Sequence, residues 1–141
     1  MPGHDLVAEV VRQWVGKAEN DLKNAAQALK LGRECPTDTV GFHAQQCAEK
    51  YLKATLVFHG IEFPKVHDLE ALVRLLPPRM LAEWPLREQR KLTMYAVTAR
   101  YPGNYPEISL AEAREAVRIA RRVWSEIRKA LPRTALRRRM R

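Results

Sequence analysis

Apolar residues recur at spacings of three and four over three long segments, and this helical periodicity constrains the fold more than any other feature of the sequence. In residues 5–31 the apolar side chains form one narrow stripe, which is typical of a helix that packs on one side. Residues 37–59 are apolar around most of the helical circumference, so they predict a central, mostly buried helix. Residues 109–131 open with Ser109 and Glu112, spaced as a capping box, and also predict a long helix.

Two shorter segments complete the helical pattern. Residues 67–76 predict a short helix that Pro77 stops, and residues 86–100 predict a longer one that ends before Pro102. The sequence contains no alternating strand pattern, no internal repeat and no glycine-rich phosphate loop. We therefore predict an all-α fold, an up-and-down bundle of four to five helices forming one domain over residues 1–132, with the second and last long helices packed together.

Positive charge is concentrated near the end of the chain. The 141 residues carry a net charge of +9, and residues 133–141 hold five arginines and no acidic residue. We predict that 133–141 is a basic, disordered tail, either a solubilising end or an arm that contacts phosphates or an acidic partner. The last long helix also has a basic face, which is either solvated or a contact surface for nucleic acid or an acidic protein. This face consists of Arg114, Arg118, Arg121, Arg122, Arg128 and Lys129.

The sequence also indicates where the protein works and what it does not bind. No apolar run approaches the roughly 20 residues of a membrane-spanning helix, and residues 1–5 lack the pattern of a signal peptide. Cys35 and Cys47 form no CxxC pair and no cysteine–histidine cluster, so both are predicted to be reduced thiols. We expect a cytoplasmic protein with no membrane contact, no bound metal and no cofactor.

Three polar residues of the second helix need partners. Gln45 and Glu49 fall among apolar positions of the helical wheel, and Gln46 lies on the neighbouring polar strip. An unpaired amide or carboxylate at a buried position costs about 1–3 kcal/mol. These residues are therefore candidates for buried hydrogen bonds inside the monomer, or for a dimer interface or pocket.

Four motifs are spread over most of the chain. The first is the series Trp14, Ala18, Asp21, Leu22 and Ala25, and it is followed by FHAQQCAEKYLKA at 42–54, HDL at 67–69 and RYP at 100–102. In this combination the chain resembles the HEPN (higher eukaryotes and prokaryotes nucleotide-binding) domain family. The resemblance implies a bundle of four or five helices that forms a homodimer. It also implies a minimal nucleotidyltransferase as partner, in some pairs as the antitoxin of a toxic HEPN protein.

The resemblance further implies ribonuclease activity for family members that carry a specific motif. That motif is an arginine, four to six intervening residues and a histidine, which lie in the dimer cleft. Arg100 matches the arginine by its place before the last helix, but the positions expected for the histidine hold Tyr105, Pro106 and Glu107. None of the four histidines has an arginine at the required distance upstream. The usual route of RNA cleavage in the family is therefore not predicted for this chain.

Three hypotheses about function follow. The preferred one is a non-catalytic homodimer that binds a nucleotide or nucleic acid in a cleft and serves a minimal nucleotidyltransferase. The second is a metal-independent ribonuclease in which Arg100 stabilises charge and His67 or His43 replaces the missing base. The third is a protein-interaction module without a small ligand. The binding residues of the first hypothesis are Lys50, Lys53, His67, Asp68, Arg100 and Tyr101.

Overall fold

Every regular element in the computed structural model is helical, within residues 4–101 and 103–136 that the structure describes. The α-helices are α1 (His4–Leu29), α2 (Thr37–Phe58), α3 (Leu69–Val73), α4 (Leu86–Arg100), α5 (Leu110–Ala130) and α6 (Arg133–Leu136). Short 3₁₀ helices, Gly32–Glu34 and Pro78–Glu83, lie in two of the connections. The predicted all-α bundle is confirmed. In this part of the chain no helix is both long and apolar enough to cross a membrane.

Helix α2 occupies the centre of the bundle, because small or apolar side chains cover most of its circumference. It packs along α1 on one side and contacts α4 and α5 on the others. Ala44, Ala48 and Leu52 are fully buried in this core. The small alanines let the neighbouring helices approach α2 closely. The structure confirms both the central position of this helix and its packing against α5.

The first residues of α3 and α5 follow from their capping residues. Ser109 accepts a hydrogen bond from the Glu112 backbone, and the Glu112 carboxylate accepts one from the Ser109 backbone, both at 3.0 Å, as the predicted capping box requires. The short helix predicted over 67–76 is helical only over Leu69–Val73. Its first helical residue follows Asp68, whose side chain caps it.

A glycine brings α2 close to the chain segments around α4 and α5. A Cβ atom placed on Gly41 would lie 2.8 Å from Ile108 Cδ1 and 3.1 Å from Tyr95 Cβ. Tyr95 belongs to α4, and Ile108 lies two residues before α5. Any side chain at position 41 would push these neighbours away, so glycine sets how closely α2 and α4 pack here.

The segment after Pro132 differs from the prediction. Residues Arg133–Leu136 form the short helix α6, and Ala135 is fully buried. The Arg12 side chain of α1 donates a hydrogen bond of 2.6 Å to the Thr134 carbonyl oxygen. The prediction of a disordered tail beginning at residue 133 is therefore wrong for these four residues, because α6 has an apolar side chain to bury against α1. Residues 137–141 of that predicted tail lie outside the described residues.

Gln89 on α4 provides a test of how the core is stabilised. It is fully buried, and neither of its side-chain polar atoms has a hydrogen-bond partner among the described parts of the chain. Because an unsatisfied buried amide costs about 1–3 kcal/mol, we expect Gln89→Met to raise the free energy of unfolding by about 1–2 kcal/mol. Urea denaturation measures the change, with Gln27→Met on the exposed face of α1 as control. An unchanged midpoint for Gln89→Met would contradict this expectation.

Candidate functional site

Two buried carboxylates organise the polar side chains around α2. The first belongs to Glu49, whose side chain is 4% exposed. The Lys53 ammonium lies 3.0 Å from Glu49 Oε2, while Gln45 Nε2 donates to Oε1 at 3.1 Å and His67 Nδ1 lies 3.0 Å from the same oxygen. Gln45 also donates to the His67 carbonyl oxygen at 2.9 Å, and Gln46 donates to Gln45 at 2.8 Å. The polar residues of α2 thus find their partners inside the monomer.

Lys53 is buried beside this carboxylate. Its ammonium nitrogen lies 5.6 Å from the ring centroids of both Trp14 and Phe63, at cation–π distances. Only 7% of the residue is exposed. Because Lys53 is buried and Glu49 balances its charge, Lys53 stabilises the fold and is not available to a ligand.

The Glu49 cluster predicts a dependence of stability on pH. Burial acts to raise the pKa of Glu49, but the hydrogen bonds from Gln45, Lys53 and His67 outweigh it and lower the pKa below the ordinary value of 4.5. The stabilisation is therefore complete above pH 4.5 and is lost as the pH falls through the lower pKa of the folded state. Urea unfolding at several pH values below 5 should show a steeper loss of stability for the wild type than for Glu49→Gln. An equal loss of stability with falling pH in the wild type and in Glu49→Gln would count against this role of Glu49.

The second buried carboxylate belongs to Asp21 of α1, which is 6% exposed. Its Oδ1 lies 2.7 Å from His43 Nδ1, and its Oδ2 lies 2.5 Å from Lys50 Nζ. An ionised carboxylate can only accept hydrogen bonds, so Nδ1 of His43 carries the proton of the neutral ring. Nε2 is then the nitrogen left to accept a proton from another group. Asp21 therefore fixes both the orientation and the tautomer of His43.

An open pocket between the start of α2 and the end of α4 contains both His43 and Arg100. Its volume is about 320 Å³, within the range of small-ligand pockets. The guanidinium carbon of Arg100 lies 6.0 Å from the centroid of the Phe42 ring. The first turn of α2, where the helix dipole is positive, forms another wall. The lining residues are Asp38, Thr39, Phe42, His43, Ala99 and Arg100.

This combination of groups has a definite chemical capability. The Arg100 guanidinium carries a permanent positive charge and has the planar geometry that suits phosphate oxygens. The Phe42 ring offers an aromatic face on which a base can stack. The His43 imidazole, held by Asp21, adds a ring nitrogen that can form a hydrogen bond. Together these groups suit a ligand that carries a phosphate beside an aromatic base.

The structure brings only part of the predicted site together. His43 and Arg100, two of the three candidates for a catalytic role, line the same pocket. His67, the third, contacts Glu49 and is not among the residues that line the pocket. The geometry thus favours His43 over His67 as a partner of Arg100.

The remaining predicted binding residues have other contacts. Lys50 and Lys53 are paired with the two buried carboxylates, as described above. Asp68 accepts a hydrogen bond of 3.0 Å from the Glu70 backbone and caps α3. Tyr101 is 52% exposed and follows Arg100 at the end of α4, but does not line the pocket. Pro102 of the RYP motif lies outside the described residues.

Sequence reasoning assigns no chemical role to Asp21 or Phe42. A signal for Asp21 exists, because it lies three residues after Ala18 and four before Ala25, on the apolar stripe of α1. A charged residue at such a core position requires a buried partner. The role of Phe42 has no comparable signal, because its apolar side chain fits equally well in the core. Only the tertiary structure places its ring beside Arg100.

The fold is that of a recognised class of helical-bundle protein. The model of the HEPN domain family matches residues 11–130, which include the whole pocket, so this chain belongs to the HEPN domain family. TT1696 from Thermus thermophilus has a similar structure, with a TM-score of 0.72 and 25% identity over 86% of this chain and 98% of that one. The structure of ST0689, described as an archaeal HEPN homologue, gives a TM-score of 0.65 and 30% identity over 85% of this chain and 96% of that one.

A sequence relative carries a name that refers to activity. MJ1304 of Methanocaldococcus jannaschii, which is named as a candidate toxin, is 32% identical over 100 residues. The match covers 65% of this chain and 63% of MJ1304. The chain therefore spans less than two thirds of the length of this relative.

Proposed function

We propose that this HEPN protein binds a nucleotide or single-stranded RNA in the pocket between α2 and α4. The observation that carries the proposal is that Arg100 and His43 line one open pocket together with the Phe42 ring. Arg100 would hold a phosphate, and Phe42 would stack on the attached base. Asp38 supplies a negative charge at the pocket wall, which directs the phosphate towards Arg100.

The charge of Arg100 supports this role. Arg100 is exposed and forms no ion pair with the side chains that the structure describes, in contrast to the paired lysines Lys50 and Lys53. A phosphate therefore does not have to displace a carboxylate from Arg100. Charge-assisted hydrogen bonds of this kind contribute about 1.5–3 kcal/mol.

Titration with ATP and with a labelled 12-nucleotide RNA tests the proposal. Arg100→Ala is expected to weaken binding of both ligands by about ten-fold or more, because it removes the guanidinium that meets the phosphate. Arg87→Ala is the matched control, because Arg87 is an exposed arginine at the opposite end of the same helix. Equal affinities of the wild type and Arg100→Ala would reject the proposed site.

A second candidate function is metal-independent cleavage of RNA, and the Asp21–His43 hydrogen bond of 2.7 Å favours it. In this reaction His43 Nε2 would accept the proton of a ribose 2′-hydroxyl, whose oxygen attacks the adjacent phosphorus. The bond from phosphorus to the 5′-oxygen would break, and that oxygen would take a proton from water. Arg100 would stabilise the negative charge that develops on the phosphate oxygens. The order of the two residues differs from the usual motif, because the histidine here precedes the arginine in the chain.

We further propose a homodimer and a minimal nucleotidyltransferase partner, as membership of the HEPN family suggests. Met94 on α4 supports a contact surface there, because this large apolar side chain is more than half exposed. Light scattering of the purified protein tests the dimer, with Met94→Glu expected to give a monomer. Co-purification with a nucleotidyltransferase encoded beside this chain tests the partner.

Similarity to a relative named as a candidate toxin leads us to propose that this protein inhibits growth when produced without its partner. Induced expression of the wild type should arrest a bacterial culture, whereas Arg100→Ala should not. Normal growth at equal protein levels would argue against a toxic role.

A further inference from the structure

The exposed side of α5 is strongly basic. Arg114, Arg118, Arg121, Arg122, Arg128 and Lys129 are all exposed. At roughly 100° per residue these six positions fall within an arc of about 120°, opposite the buried face of the helix. They extend over about 22 Å along the axis, at 1.5 Å per residue. We call this row of residues the α5 basic stripe.

Only part of the charge on the α5 basic stripe is balanced. Glu88 of α4 is shared between Arg118 and Arg122, at 3.2 and 3.3 Å. Two longer pairs join Glu19 to Arg128 at 3.9 Å and Glu126 to Lys129 at 3.7 Å. Three carboxylates therefore face six cations, which leaves an excess of three positive charges. Exposed ion pairs of this kind contribute about 0–1 kcal/mol to stability, so a phosphate can take the place of the carboxylate at little cost in free energy.

Two arginines of the stripe are fully available. Arg114 and Arg121 form no ion pair with any described side chain. Both are exposed. They can therefore contact an anionic ligand without losing a partner in the protein.

The stripe begins beside the pocket. Ile108, just before α5, packs against Gly41, which directly precedes Phe42 of the pocket. Arg114 is the residue of the stripe nearest to this end of α5. Arg114 thus lies at the pocket end of the stripe, and the other cations lead away from it.

We propose that the α5 basic stripe holds the backbone of a single-stranded RNA that enters the pocket at the Arg114 end. This inference rests on the proposed function and specifies its ligand as an oligonucleotide rather than a mononucleotide. A single helix face with one narrow row of charges fits one strand, and the pocket of about 320 Å³ admits one phosphate with its base.

Salt-dependent binding tests this proposal. The ligand is a fluorescein-labelled 12-nucleotide RNA, and anisotropy is measured from about 50 to 300 mM KCl, the range over which counterion release is resolved. The variant is the double substitution Arg114→Gln and Arg121→Gln, and the control is Lys17→Gln with Lys23→Gln, which removes the same charge from exposed positions of α1. Loss of two phosphate contacts should make the negative slope of log K against log salt shallower by about 1.4 and weaken binding about ten-fold. The control should change neither value.

Measuring both variants with both ligands distinguishes RNA binding by the α5 basic stripe from ligand binding in the pocket, on which the proposal rests. If Arg100→Ala weakens RNA and ATP binding while the double variant leaves both unchanged, the pocket is retained and the stripe is rejected. If the double variant weakens the RNA but not ATP, the stripe is supported. Failure of the wild type to bind the RNA would overturn the proposal outright. A poly-glutamate peptide that competes as well as RNA would overturn it in favour of an acidic protein partner.

Discussion

Replacing Glu49 by alanine is expected to lower the free energy of unfolding by about 3–5 kcal/mol, the cost of breaking a buried ion pair. The side chain of Lys53 is only 9% exposed, and the Glu49 carboxylate lies 3.0 Å from its ammonium. Without that carboxylate the ammonium stays in a buried site between two aromatic rings, where no other described carboxylate is paired with it. Urea or thermal unfolding of the purified variant measures the loss.

Two further variants make this prediction specific. Glu70→Ala also removes a carboxylate that pairs with two cations, Arg74 and Arg90, but their side chains are about 60% exposed. Glu70→Ala should therefore change stability far less than Glu49→Ala. The double replacement Glu49→Leu with Lys53→Met should recover most of the loss, because it removes both charges and fills a similar volume. Similar losses for Glu49→Ala and Glu70→Ala would show that burial of the pair does not matter.

If the protein cleaves RNA, His43→Ala should reduce the rate by about 10²–10⁴-fold, the usual contribution of a general base. Asp21→Asn should have a comparable effect without removing the imidazole, because an amide at position 21 can donate to Nδ1 and favour the wrong tautomer. Single-turnover cleavage of a labelled RNA measures both rates.

His67→Ala serves as the matched control for His43. Its ring contacts Glu49 and is absent from the pocket lining, so it should retain the wild-type rate after any change in stability is taken into account. The pH profile adds a second readout, since loss of a general base removes the rise in rate with pH near neutrality. Loss of cleavage in His67→Ala with full activity in His43→Ala would assign the role of general base to His67.

The sequence predicts the long helices well because their periodicity reflects burial directly. The apolar stripe of α1, the nearly uniform apolar surface of α2 and the capping box of α5 can each be recognised without tertiary information. Helix α6 is different, because it is only four residues long and lies in a segment dominated by arginine. Composition indicates a disordered tail, whereas one buried alanine and a hydrogen bond from α1 hold it against the bundle.

The candidate site can be predicted only in part. Arg100 and His43 are identified from motifs, but Asp21 lies 22 residues from His43 in sequence and meets it only because α1 packs along α2. The helical wheel places Lys53 on the polar strip, where it is expected to face a ligand. The Lys53 side chain instead pairs with Glu49, one helical turn earlier, which the i, i+4 spacing allows. The sequence does not show that Trp14 and Phe63, which lie outside α2, flank the ammonium.

Gly41 influences the geometry of the pocket although it is not one of the lining residues. It stands directly before Phe42, and its missing side chain lets Tyr95 and Ile108 rest against the α2 backbone. Adding a methyl group there would shift α4 relative to α2, and with it the distance between the Arg100 and His43 walls. If the pocket binds the ligand proposed above, a substitution at Gly41 would change ligand selectivity from outside the pocket lining, and a mutational screen restricted to the lining residues would not find it.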